Sequence, residues 1–165
     1  MRTSSLSFRW RGDGGFVDAR PRVDREVPGS RPDYALFLDF EVDGVSLYDA
    51  IREAGPGLGV GWLGVYEGGH ERQAIRRLLL QEPPDPLLVN PELYICQLCN
   101  DLGCGANTVK VDRSDGFYTW REFFYELPWV QPAPEPLRGL GPYHFAEGAY
   151  AEALSYATTL TKLGK

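Results

Sequence analysis

The stretch ANTVKVDRSDGFYTWREFFYE, residues 106–126, decides the fold class of this 165-residue chain. Val109 and Val111 alternate with polar neighbours, which is the period-2 pattern of a strand with one buried face. Residues 114–116, Ser-Asp-Gly, favour a turn, and the residues after them are rich in the aromatic side chains that strands prefer. The stretch therefore predicts an antiparallel β-hairpin.

The segments on either side of this hairpin add further strands and helices. Alternating or continuous apolar residues predict four more strands, at residues 6–11, 16–27, 34–42 and 93–95. Apolar residues at helical spacing predict three helices, at residues 46–54, 70–81 and 146–160. We expect an α+β fold, with a mainly antiparallel sheet and about three helices packed on it, as a single domain over residues 1–165.

Composition limits the classes of partner and the location of the protein. The chain has 17 Lys and Arg residues against 23 Asp and Glu residues, a formal net charge of −6, and 43% apolar residues. The apolar content is enough for one buried core, and the acidic charge disfavours nucleic acid and anionic membranes as partners. No segment approaches the roughly 18 to 20 apolar residues that cross a bilayer, and residues 1–11 lack the apolar stretch of a secretory signal. We therefore expect a cytoplasmic protein with reduced cysteines.

The segment CQLCNDLGCGA, residues 96–106, holds all three cysteines of the chain and follows a short predicted strand. In one interpretation, Cys96, Cys99 and Cys104 bind zinc, with Asp101 as the fourth ligand. In a second interpretation, Cys96 and Cys99 form a redox pair and Cys104 resolves a mixed disulfide. In a third interpretation, the cysteines are small apolar side chains that pack in a tight turn between two strands.

Two other groups of side chains are candidates for function. Trp120, Phe124 and Trp129 belong to an aromatic concentration that predicts either core packing or a partner-binding surface with an acidic rim. Asp39, Glu41 and Asp43 alternate along one side of a predicted strand. Paired carboxylates can act in acid–base catalysis, but charged residues that alternate with apolar ones are typical of a solvated sheet face, which is what we expect here.

Several of these motifs together resemble a family of small, uncharacterised bacterial proteins that is common in actinobacteria. The resemblance covers roughly residues 34–126 and is carried by Leu-Tyr-Ile-Cys at 93–96, Asp-Leu-Gly-Cys-Gly-Ala at 101–106 and Trp-Arg-Glu-Phe at 120–123. The family pattern is C-x-x-C-G-D-L-G-C-G-A followed by W-x-[DE]-F, and this chain departs from it at Asn100, where the pattern has glycine. The resemblance implies that the cysteine-glycine turn is a family feature. Some members carry the label oxidoreductase, but the resemblance gives no catalytic residues.

These observations lead to two functional hypotheses of different classes. The first is a non-catalytic bacterial protein-interaction module, for example of the toxin-neutralising (immunity) type, that binds a basic protein through an acidic and aromatic surface. The alternative is a thiol- or metal-dependent oxidoreductase that uses Cys96, Cys99 and Cys104, or a structural zinc protein with the same ligands.

Overall fold

The computed structural model describes residues 1–12, 15–16, 37–55, 60–61, 70–95, 102–130 and 133–163. These residues form two antiparallel sheets, three α-helices and a short 3-10 turn over Leu102–Cys104. The strands are β1 (Leu6–Gly12), β2 (Gly15–Phe16), β3 (Phe37–Val42), β4 (Val45–Ser46), β5 (Val60–Gly61), β6 (Glu92–Ile95), β7 (Ala106–Ser114), β8 (Phe117–Glu126) and β9 (Tyr143–Ala146). The helices are α1 (Leu47–Ala54), α2 (His70–Leu78) and α3 (Glu147–Leu163).

The first sheet has the strand order β2-β1-β3-β4. Strand β1 pairs with β3 from Leu6 opposite Val42 to Arg11 opposite Phe37, which confirms the strands predicted from the alternation at the N-terminus and the apolar run before Asp43. Of the predicted return strand over 16–27, only Phe16 lies in the described residues, where it belongs to β2. Every residue of β3 is buried, so this strand is covered on both faces.

The second sheet has the order β5-β6-β7-β8-β9 and contains the predicted hairpin. Ser114 pairs with Phe117, which leaves Asp115 and Gly116 as a two-residue turn, with φ values of 53° and 80°. Two consecutive positive φ angles are the geometry that Asp-Gly favours in hairpins, because its twist matches that of the strands. The hairpin prediction is therefore confirmed.

A bulge in this hairpin determines which aromatic side chains reach the core. Lys110 pairs with Glu122 and Val111 pairs with Trp120, so Arg121 is an extra residue in β8. Because successive side chains of a regular strand point to opposite faces, Trp120 and Phe123 would lie on opposite sides without this extra residue. With the bulge, both side chains are fully buried.

The two sheets share one cluster of buried side chains. The rings of Phe40 in β3 and Trp120 in β8 lie 5.8 Å apart between centroids, and Tyr150 of α3 donates its hydroxyl hydrogen to the carbonyl oxygen of Leu78 at the end of α2. The α+β class and the three helices are thus confirmed, although two sheets stand where one was expected. That residues 1–165 form a single domain stays a prediction.

Candidate interaction surface

Large apolar side chains are exposed on two segments of the second sheet's periphery. Trp129 is 78% exposed and Val89 is 77% exposed, so each presents most of its apolar side chain to solvent. Val130, Leu127 and Leu87 are also exposed. We call these five residues the Trp129 surface: Leu87, Val89, Leu127, Trp129 and Val130.

A buried carboxylate joins the two segments that form the Trp129 surface. Glu126, the last residue of β8, accepts hydrogen bonds from the backbone N–H of Val89 over 2.8 Å and from that of Asn90 over 3.2 Å. The next residue, Leu127, begins a turn that closes when the N–H of Val130 donates to its carbonyl oxygen over 3.1 Å. Trp129 is therefore held on a turn that directly follows the residue bonded to Val89.

Gly105, at the described end of the cysteine-glycine segment, lies beneath one edge of this surface. Gly105 has a φ of 105°, and a Cβ atom at that position would lie 2.9 Å from Cδ2 of Leu127, 3.1 Å from the Tyr125 hydroxyl and 3.2 Å from the Glu126 carbonyl oxygen. Only glycine combines this backbone conformation with so close an approach. Gly105 thus allows Leu127 to pack directly over the backbone that follows Cys104.

The structure separates the three aromatic residues that were predicted to bind a partner. Trp129 is exposed and Phe124 is half-buried, whereas Trp120 is 0% exposed. Trp120 donates its Nε1 hydrogen to the Tyr150 hydroxyl over 3.0 Å and packs edge-on against Phe145. A partner cannot reach Trp120 in this arrangement, so the inclusion of Trp120 in a partner-binding surface is corrected: the bulge at Arg121 turns it into the core.

Of the four predicted metal ligands, only Cys104 falls within the described residues. It ends the 3-10 turn, its thiol is free, and its side chain is half-buried. Cys96, Cys99 and Asp101 lie outside the described residues. Among the residues that the structure does describe, no group of three His, Cys, Asp or Glu side chains is arranged to hold a metal ion. The zinc and redox interpretations of the cysteines stay predictions.

A buried polar cluster around Asp39 was not expected from the sequence. Asp39 is 0% exposed, so the expectation of a solvated carboxylate was wrong. Its two carboxylate oxygens accept hydrogen bonds of 2.5 Å from the Tyr94 hydroxyl and from the Ser46 hydroxyl. Burial raises the pKa of Asp39, and hydrogen bonds from Ser46, Tyr94 and the Tyr48 backbone, together with Arg11, oppose that rise.

Arg11 extends this cluster from β1 to helix α1. Its Nη2 lies 2.7 Å from Oδ1 of Asp49, and its guanidinium group lies 4.3 Å from the centroid of the Tyr48 ring. Ser46 is the N-cap of α1, because its hydroxyl accepts the backbone N–H of Asp49 over 3.1 Å. The cluster thus connects α1 to both sheets. Its polar groups form hydrogen bonds with one another, as expected of a cluster that stabilises the fold.

A second buried ion pair secures the segment that carries Val89. Arg77 of α2 donates to Oε1 of Glu92 over 2.5 Å and also lies 3.6 Å from Asp85. Glu92 is 1% exposed, and this burial raises its pKa despite the opposing effect of Arg77. The other carboxylate oxygen of Glu92, Oε2, has no hydrogen-bond partner among the described residues. The pair fixes both ends of residues 77–92 against the sheet.

Comparison with known proteins assigns no family or function to this surface. No protein-family model, curated protein or solved structure matches the chain. None of the helices in the described ranges is long and apolar enough to cross a membrane. The site therefore has to be interpreted from its own residues.

Proposed function

We propose that this protein is a non-catalytic interaction module that binds a basic protein partner through the Trp129 surface. The observation that carries the proposal is the exposure of Trp129 and Val89 on two segments that Glu126 joins. Tryptophan is enriched among the residues that contribute most to protein–protein binding, and its burial in a complex together with exposed aliphatic side chains removes much apolar surface from water.

The charge around the surface favours a basic partner. The described segments that carry the surface, residues 78–95 and 122–130, contain no Lys or Arg and five acidic residues: Glu82, Asp85, Glu92, Glu122 and Glu126. Glu92 and Glu126 are buried, and Arg76, Arg77 and Lys110 lie within ion-pair distance of Glu82, Asp85, Glu92 and Glu122, so the acidic field comes mainly from the net charge of −6. Such a field attracts a partner that places Lys or Arg around an apolar anchor and disfavours nucleic acid.

A toxin-neutralising role of the immunity type, in the bacterial cytoplasm, is one biological setting for this class of binding. The resemblance to small bacterial proteins of the actinobacterial type belongs to the same proposal. It implies that the cysteine-glycine turn is a family feature, and Gly105 at its described end lies against Leu127 of the surface.

A peptide selection tests the proposal even though the natural partner is unidentified. A random displayed-peptide library is selected on the full-length wild-type protein, and the affinities of the enriched peptides are measured for wild type, W129S and Y156S. Tyr156 is the matched control, because it is 58% exposed but lies on α3. We expect W129S to lower the affinity at least about tenfold, equivalent to ~1.4 kcal/mol, and Y156S to leave it unchanged.

The sequences of the selected peptides test the charge argument separately. We expect them to combine an apolar anchor with Lys or Arg. Peptides that bind W129S as tightly as wild type, or a selection that enriches nothing, would overturn the proposed surface. Enrichment of acidic peptides would overturn the proposed partner class.

A further inference from the structure

We infer that Glu126 is a positioning residue that assembles the Trp129 surface from two separate segments of the chain. This inference rests on the proposed function, because it assigns a role within the same binding surface. It differs from that proposal in concerning a residue that is only 6% exposed and does not itself contact a partner.

The contacts of Glu126 place it between the two halves of the surface. Its Oε1 accepts the N–H of Val89, and its Oε2 accepts the N–H of Asn90 and lies 3.5 Å from the Asn90 side-chain nitrogen. Val89 itself is almost fully exposed, so its side chain gains little packing that could hold it in place. The position of Val89 next to the Trp129 turn therefore depends on the hydrogen bonds that the backbone N–H groups of Val89 and Asn90 donate to Glu126.

Other contacts hold the ends of the Val89 segment but not its middle. Before Val89, the Leu88 side chain is buried and its N–H donates to the Asp85 carbonyl oxygen over 2.9 Å. After Asn90, the Pro91 carbonyl oxygen accepts the N–H of Val109 over 3.0 Å. Glu126 supplies the contact between these two points, so its removal is expected to release Val89 while the rest of the segment stays attached.

The chemistry of a carboxylate suits this role better than that of a neutral amide. A carboxylate has two acceptor oxygens, and its hydrogen bonds to backbone N–H groups are stronger than neutral ones. Glutamine has the same shape but only one acceptor oxygen, and its NH2 group would face a backbone N–H donor. E126Q therefore removes the two-point attachment with almost no change in side-chain volume.

The first experiment measures the attachment directly by amide hydrogen exchange in the full-length protein. We expect E126Q to accelerate exchange of the Val89 and Asn90 amides at least about tenfold, the effect of losing one charge-assisted hydrogen bond, and to leave the Phe123 amide of the hairpin unchanged. E126D, which keeps the charge on a shorter side chain, is expected to restore part of the protection. E122Q is the control, because Glu122 lies on the same strand and is exposed.

The second experiment measures binding of a peptide selected on wild type as described above, in a cycle of E126Q, V89A and the double variant. If Glu126 acts by positioning Val89, E126Q weakens binding in the wild-type background and has little further effect once Val89 is alanine. Unchanged exchange at Val89 and Asn90 in E126Q would overturn the inference, and so would additive effects in the cycle. Loss of binding in E126Q with no loss in W129S would instead contradict the proposed surface.

Discussion

At the scale of single residues, buried carboxylates in this protein differ in how their two oxygens are satisfied. Both oxygens of Asp39 and both oxygens of Glu126 accept hydrogen bonds, whereas only one oxygen of Glu92 has a partner among the described residues. An ionised carboxylate loses its hydration on burial, and hydrogen bonds to both oxygens are needed to compensate. Glu92 is therefore the carboxylate of the three whose ionisation is least well compensated.

This difference predicts a pH-dependent effect of E92Q on stability. Burial raises the pKa of Glu92 above its ordinary value of 4.5, so the folded protein binds the proton more tightly than the unfolded chain does. The free energy of unfolding of wild type should then fall, through this group, as the pH rises from about 4.5 through the raised pKa. Glutamine does not ionise and keeps a carbonyl oxygen that can accept from Arg77, so the free energy of unfolding of E92Q relative to that of wild type should increase as the pH rises through this range.

Urea unfolding of wild type, E92Q and E122Q at several pH values between 4.5 and 7.5 measures this trend. The free energy of unfolding of E122Q is expected to change with pH in the same way as that of wild type, because Glu122 is exposed and lies opposite Lys110. A stability deficit of E92Q that grows as the pH rises would contradict the argument, since it would show that the ionised form is favoured by folding.

At the scale of elements, sequence patterns predicted the strands, turns and helices that depend on residues close together in the chain. The hairpin, the three helices, the N-terminal strand and the strand before Asp43 follow from alternation, turn residues and helical spacing, and all of them are present. The bulge at Arg121 does not follow from these patterns, because it depends on how β8 packs against β3 and α3. For that reason the sequence left core packing and a partner-binding surface as alternatives for Trp120, and only the structure shows that it belongs to the core.

The candidate surface likewise contains residues that the sequence could predict and residues that only contacts distant in the chain bring together. Trp129 could be predicted, because it sits beside prolines in a segment with no regular pattern. Val89 and Glu126 could not, because they lie 37 positions apart and only the folded chain brings them together. The burial of Asp39 had one available signal, its position in the otherwise apolar run Phe-Leu-Asp-Phe at residues 37–40.

The junction between the cysteine-glycine turn and β7 gives a prediction at this scale. G105A combines a positive φ with contacts of 2.9–3.2 Å from the new methyl group to Leu127, Tyr125 and the Glu126 backbone. G116A is the matched control, because Gly116 also has a positive φ, of 80°, but has open space around it. We expect G116A to cost about 1 kcal/mol from backbone strain alone and G105A to cost about 2–4 kcal/mol in total.

Thermal and urea unfolding of the two variants measure this difference. Because Leu127 belongs to the Trp129 surface, G105A should also lower affinity for a peptide selected on wild type, whereas G116A should not. Equal destabilisation by both substitutions would show that Leu127 and the Glu126 backbone move aside without cost, and that the turn does not support the surface.

At the scale of the whole molecule, the two sheets are connected through aromatic side chains and through the chain itself. Phe40 of the first sheet contacts Trp120 and Tyr94 of the second, with ring centroids 5.8 Å and 5.9 Å apart. The N-terminal residues also bridge them: the N–H of Ser4 donates to the His144 carbonyl oxygen of β9 over 2.7 Å, and two residues later β1 begins in the other sheet. Aromatic side chains of both sheets therefore belong to one buried cluster.

This arrangement predicts that both sheets unfold together, which tests the expectation of a single domain. F40L removes part of the ring that lies between Trp120 and Tyr94, and we expect it to lower the free energy of unfolding by about 1–3 kcal/mol. If the sheets form one cooperative unit, the slowest-exchanging amides of β3 and of β8 lose the same amount of protection, because both exchange through the same global unfolding.

F124L is the matched control, since Phe124 is half-buried on the opposite face of the second sheet, and its cost in free energy of unfolding should be below that of F40L. Faster exchange confined to β1 and β3 in F40L would show that the first sheet unfolds by itself, and that residues 1–165 contain more than one cooperative unit.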